Sequence, residues 1–116
     1  MAHPRTFRFA AELHAPLPGS NWVDSFKELE DLGYSTLFMP DHFGAQLSPT
    51  VALQAAADAT TTLRVGALVY DNDYRHPVVL AKDCATLDLL SGPGGWRRTT
   101  SSPASPWTRP RFASTA

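Results

Sequence analysis

The stretch Leu37-Phe38-Met39-Pro40-Asp41-His42-Phe43-Gly44 runs an apolar segment straight into a breaker, an acid, an imidazole and an aromatic ring. Proline has no N–H to give to a central ladder, so a strand reaching Met39 stops at Pro40. Asp41 and His42 then stand just beyond a strand end. In a parallel α/β sheet, that edge is where ligands bind. A carboxylate next to a group that titrates near neutral pH suits holding a ligand and moving a proton. The same two residues also suit a bland role, with Asp41 capping a turn and His42 lying half-buried in a loop. Spacing by itself leaves both readings open.

Outward from this stretch, the chain repeats. Thr6 to Leu13 alternates, with Phe7, Phe9, Ala11 and Leu13 on one side and Arg8 and Glu12 on the other, which predicts a first strand. His14 to Gly19 is a loop rich in breakers. Ser20 or Asn21 caps a helix that has Asp24 in its first turn. Trp22, Phe26, Leu29 and Leu32 fall on its apolar side, and Gly33 ends it. The second strand, Tyr34 to Met39, leads into the Asp41-His42 loop. Ser48-Pro49 then signals a second helix over the Ala-rich run Val51 to Ala59. Leu63 to Tyr70 reads as a third strand and Asp71 to His76 as a loop. Pro77 to Leu90 reads as a third helix, with Leu80, Cys84 and Leu87 facing inward and Ser91-Gly92 as its stop.

Strands that start near residues 6, 34 and 63 imply a period of about 28 residues of strand, loop and helix. Consecutive βα units predict parallel strands joined by right-handed crossovers. His14, Asp41-His42 and Asp71 to His76 then share one edge of the sheet, which strengthens the functional reading of Asp41 and His42.

Other chemistry finds little support. There is no P-loop and no GxGxxG. Asp71-Asn72-Asp73 lacks the later glycine and distal glutamate of a calcium loop, and the four histidines lack zinc spacing, so no metal site is expected. Cys84 reads as an inert small hydrophobe.

Composition bounds the class. The chain has 116 residues, 43% hydrophobic and 18% charged, which suits one globular unit. A net charge of −1 gives no general attraction to nucleic acid or anionic membrane. That value conceals an asymmetry. Residues 1–92 carry six basic and all 11 acidic groups, and residues 93–116 carry four arginines and no acid. With one cysteine, no secretory h-region and no apolar run near the ~20 residues of a membrane span, a reducing, cytoplasmic setting is expected.

Two segments carry a family resemblance: Leu32-Gly-Tyr-Ser-Thr-Leu-Phe-Met-Pro-Asp-His-Phe43, and Tyr74-Arg-His-Pro-Val-Val-Leu-Ala-Lys82 through Ala85-Thr-Leu-Asp-Leu-Leu-Ser-Gly92. They resemble the luciferase-like monooxygenase superfamily, most nearly its deazaflavin (coenzyme F420)-dependent branch, which is common in actinobacteria. The resemblance covers residues 7–92 and implies an α/β fold made of the first three βα units of a TIM (β/α)8 barrel. It implies an oxidoreductase that passes hydride between F420, alternatively FMN, and a small organic substrate at the C-terminal face. By the same resemblance, Asp41 and His42 contact the cofactor, with His42 as the catalytic acid or base. Ala67, Leu68 and Val69 would carry the family's bulge or non-proline cis peptide against the cofactor ring.

A complete barrel of this kind needs about 250 residues. Residues 93–116 read Pro, Ser, Thr, Arg and Trp without periodicity, where the family has an arginine, a fourth strand and a Gly-rich loop. Two stretches are therefore expected: a partial barrel over residues 1–92 and an irregular, truncated or frameshifted tail over 93–116. Such a chain is expected to expose apolar strand faces, to self-associate through open sheet edges and to turn over no cofactor unaided. The alternative is a non-enzymatic remnant or interaction fragment.

Overall fold

The computed structural model describes residues 6–92. The expectations for residues 93–116 lie outside the described residues. The elements are β1 (Ala10–Glu12), α1 (Trp22–Asp31), β2 (Thr36–Met39), α2 (Pro49–Ala59), β3 (Arg64–Ala67) and α3 (Pro77–Leu90). The strands form a parallel sheet in the order β1-β2-β3. This is the βαβαβα succession that the repeat implies.

Strand extents differ from the sequence reading. β1 begins at Ala10 rather than Thr6, because Phe7 and Phe9 stand 89% and 70% exposed with no helix among the described residues covering them. One further ladder bond, Ser35 N–H to Phe9 O, precedes the strand at 2.9 Å. β3 ends at Ala67 rather than Tyr70. Leu68 N–H still bonds Met39 O at 3.0 Å, but Pro40 has no N–H with which to carry the ladder on.

The register aligns Ala11, Leu37 and Val65 in one rung and pairs Met39 with Ala67. These residues face the helices. Phe26 and Leu29 of α1, Ala52, Leu53 and Ala56 of α2, and Leu87 of α3 close the core over Leu37, Met39 and Val65. Alanines on α2 let that helix sit near the sheet while touching both α1 and α3. Parity places the rungs Ala10/Thr36/Arg64 and Glu12/Phe38/Gly66 on the opposite face. That face was expected to be apolar, but around the Phe38 ring it mixes small, polar and charged residues. At Gly66, an added Cβ would lie 3.2 Å from the Phe38 ring, so glycine gives that ring its room.

The helix ends follow their residues. Asn21 Oδ1 accepts the Asp24 N–H at 2.9 Å, and Gly33 leaves α1 at φ +86°, where a side chain would be strained. Leu32, expected on the apolar side of α1, is 66% exposed because it is the helix C-cap. On α3 only Leu87 is buried; Leu80 and Cys84 are half-buried, since α2 is the main neighbour of α3 among the described elements.

Glu30 ties the end of α1 to the turn before β3. Its carboxylate accepts the N–H groups of Thr61, Thr62 and Leu63 and the hydroxyls of both threonines. Burial pushes its pKa up, but the bonds from Thr62, Leu63 and Thr61 outweigh burial and hold it at about 2. A depressed carboxyl stabilises the fold fully above its ordinary value of 4.5 and loses that contribution as pH falls toward 2. Glu30→Gln is expected to cost about 1–2 kcal/mol at neutral pH, discounted for partial exposure. Urea midpoints should show the gap between the two chains closing as pH drops below 4.5.

Candidate functional site

The loops after β1, β2 and β3 gather at one edge of the sheet because parallel strands all end there. Asp41 follows Pro40 and is only 6% exposed. Its two oxygens face Arg75 of the next loop. Arg75 Nη1 donates to Oδ2 at 2.5 Å and Nη2 donates to Oδ1 at 3.0 Å. The Asp71 N–H also reaches Oδ2, at 2.9 Å. This planar, two-point pairing is the strong form of a carboxylate–guanidinium contact. Arg75 draws the Asp41 carboxyl below its ordinary range, against the opposing effect of burial, and Asp71 N–H and His42 add to that lowering. Asp41 therefore stays ionised and latches the second loop to the third.

Arg75 is supported from beneath. Its guanidinium lies 5.2 Å from the centre of the Tyr70 ring, and the Tyr70 hydroxyl meets Thr50 Oγ1 at 3.2 Å. Burial raises both the Tyr70 phenol and the Cys84 thiol, so both stay protonated at neutral pH. Within the Asp71–Asp73 segment, Asp71 Oδ1 accepts the Asp73 N–H at 2.8 Å, closing a turn.

His42 is exposed immediately after the latch. Next to it, Phe43 is 88% exposed and packs at a tilt of 49° against Tyr74, with ring centres 4.4 Å apart, so a second contact joins the same two loops. Ala67 packs on the core, whereas Leu68 and Val69 are 54% and 71% exposed and the peptide bond between them is cis. The structure thus brings Asp41, His42 and residues 67–69 to one edge. Asp41 sits beneath the surface and His42 at it.

Sequence reading passed over Arg75 and Gln46. A signal for Arg75 was available: among residues 13–21, 40–48 and 68–76, which form the loops at this edge, it is the single Lys or Arg. Among these loop residues it alone offers a buried acid a two-point guanidinium contact. Gln46 had no such signal. Its amide reaches His14 across 32 positions of sequence, and its Oε1 is buried without a hydrogen-bond partner among the described residues. Among those residues no group of three or more His, Cys, Asp or Glu is arranged for a metal ion.

The luciferase-like monooxygenase family model matches residues 5–94. The chain belongs to that family. It is also similar to 4-hydroxyprotoasukamycin monooxygenase of Streptomyces nodosus subsp. asukaensis, being 31% identical over 77 residues. The match takes in 63% of this chain and 19% of that protein, so the chain spans about a fifth of the relative's length. Members of this luciferase-like family use flavin or F420 cofactors and act on small molecules. The exposed Leu68 and Val69 side chains give this edge an apolar surface that suits the face of a planar ring. No helix among the described residues is long and apolar enough to cross a membrane.

Proposed function

We propose that residues 1–92 are the first three βα units of a luciferase-like (β/α)8 barrel whose whole form is an F420-dependent oxidoreductase, alternatively an FMN-dependent one. The observation that carries this reading is an exposed imidazole, His42, set on a loop that the Asp41–Arg75 latch holds at the C-terminal edge of a parallel sheet. When bound, the cofactor would supply the two-electron hydride chemistry. The chain's own residues would position and move protons. His42 would give or take the proton that accompanies hydride movement at a substrate oxygen or nitrogen. Asp41 would act through Arg75, keeping the loop that bears His42 against the loop after β3. Leu68 and Val69 would offer an apolar floor to the ring, with Ala67 anchoring them to the core.

Fluorescence titration of F420 and FMN tests this reading, using residues 1–92 joined to the remaining units of a family member. Saturable binding of one cofactor is expected, and binding of neither would overturn the assignment.

A second reading is favoured by a specific observation: Val78, Val79, Leu89 and Leu90 of α3 are 70%, 52%, 80% and 64% exposed. These exposed apolar side chains suit self-association of the isolated chain. Light scattering behind a sizing column is expected to show a dimer or larger species for the 116-residue chain. Val78→Glu with Leu89→Lys should shift the population toward monomer, and no shift would remove α3 from the contact.

A further inference from the structure

Glu12, His14 and Gln46 lie at the same edge but take no part in the Asp41–Arg75 latch. Glu12 ends β1, His14 follows two residues later, and Gln46 belongs to the loop before α2. His14 Nε2 is 3.5 Å from Glu12 Oε2, and His14 Nδ1 is 2.9 Å from Gln46 Nε2. The Gln46 amide nitrogen only donates, so a neutral His14 ring bonded to it carries its hydrogen on Nε2, on the side of Glu12. The lone pair then sits on Nδ1, where the Gln46 amide can donate to it. His14 is 55% exposed and Glu12 33%, so both are within reach of a bound molecule. The arrangement is a carboxylate–imidazole pair whose basic nitrogen points away from the carboxylate and is covered by one neutral, replaceable donor.

We propose that His14 Nδ1 is a second proton-accepting atom at this edge, with Glu12 orienting the ring and the Gln46 N–H holding the place of a substrate hydroxyl. The proposal rests on the reading of this edge as an oxidoreductase site. A substrate alcohol or phenol would displace the Gln46 amide from Nδ1. As its O–H bond breaks, the electron pair stays on oxygen and a new Nδ1–H bond forms. The Nε2–H remains on the ring, and Glu12 stabilises the resulting cation. A half-turn of the Gln46 amide then offers Oε1 to the new Nδ1–H, using an acceptor that has no other partner among the described residues. Glu12 and Gln46 are positioning residues here, and His14 is the group that touches substrate.

Nitrogen NMR of the full chain with labelled histidine tests this, with His14 assigned by the signal lost in His14→Gln. The neutral ring is expected to carry its hydrogen on Nε2, and Glu12→Gln should reduce that preference. Phenol, used as the hydroxyl probe, is expected to move the His14 Nδ1 signal saturably, at several-fold lower concentration in Gln46→Ala. His76 is the internal control, because its Nδ1 already accepts the Val78 N–H at 3.2 Å, and phenol should leave it in place. A hydrogen on Nδ1, a response shared equally with His76, or equal phenol midpoints with and without Gln46 would overturn the proposal. None of these readouts needs a cofactor, so they fail or succeed separately from the F420 and FMN titrations.

Discussion

Arg75→Ala is expected to cost about 3 kcal/mol of folding stability, because it strands the Asp41 carboxylate inside the protein. The Asp41 side chain is 6% exposed and that of Arg75 20%, so water cannot replace both guanidinium bonds without opening the loop. The Asp71 N–H would then be the remaining hydrogen-bond partner of Asp41 Oδ2 among the described residues. Asp41→Leu combined with Arg75→Met should recover much of the loss, since it removes the charge and its partner together. Arg75→Lys should fall between, because an ammonium cannot make the two-point contact. Chemical denaturation of the four chains checks this ordering. The pH dependence has a definite sign. Asp41 is held below its ordinary value of 3.8, so the latch contributes fully above that pH and its contribution fades as pH falls below it. If the single and double variants lost equal stability, the latch would not be an ion pair of consequence.

His42→Ala, made in the chain joined to the remaining barrel units, is expected to lower turnover by about 10²–10⁴-fold, the usual worth of a positioned acid or base. Cofactor affinity should change far less, since an exposed ring removed from a loop leaves the Asp41–Arg75 latch intact. Turnover and fluorescence titration separate the two effects. His42→Asn, which keeps a polar group without a titrating nitrogen, should be nearly as poor as His42→Ala. Unchanged turnover in both variants would remove His42 from the reaction. By contrast, Arg75→Ala should weaken turnover and cofactor binding together, because it loosens two loops at once.

Much of this architecture was legible in the chain because its signals are local. Asn21 and Gly33 bound α1, Pro49 and Pro77 open the next two helices, and Pro40 ends a strand whatever its neighbours do. The succession of βα units follows from such punctuation, and with it the gathering of three polar loops at one edge. Local signals could not set the strand lengths. Phe7 and Phe9 alternate correctly but stay exposed among the described residues, and residues 68–70 are apolar yet lie past the point where Pro40 interrupts the ladder.

The pairings at the edge belong to the tertiary structure. Asp41 and Arg75 are 34 positions apart, and Gln46 and His14 are 32 apart. No periodicity reports which side chain of one loop meets which of another. That is decided by the register of β1, β2 and β3, which fixes how far each loop projects and which residue starts it. Sequence thus placed a carboxylate and an imidazole side by side at a strand end. Only the packed sheet buried the first under Arg75, left the second in water, and turned His14 between Glu12 and Gln46. Burial and hydrogen bonding separate the roles of chemically similar groups, and both depend on neighbours that the chain brings together only when it folds.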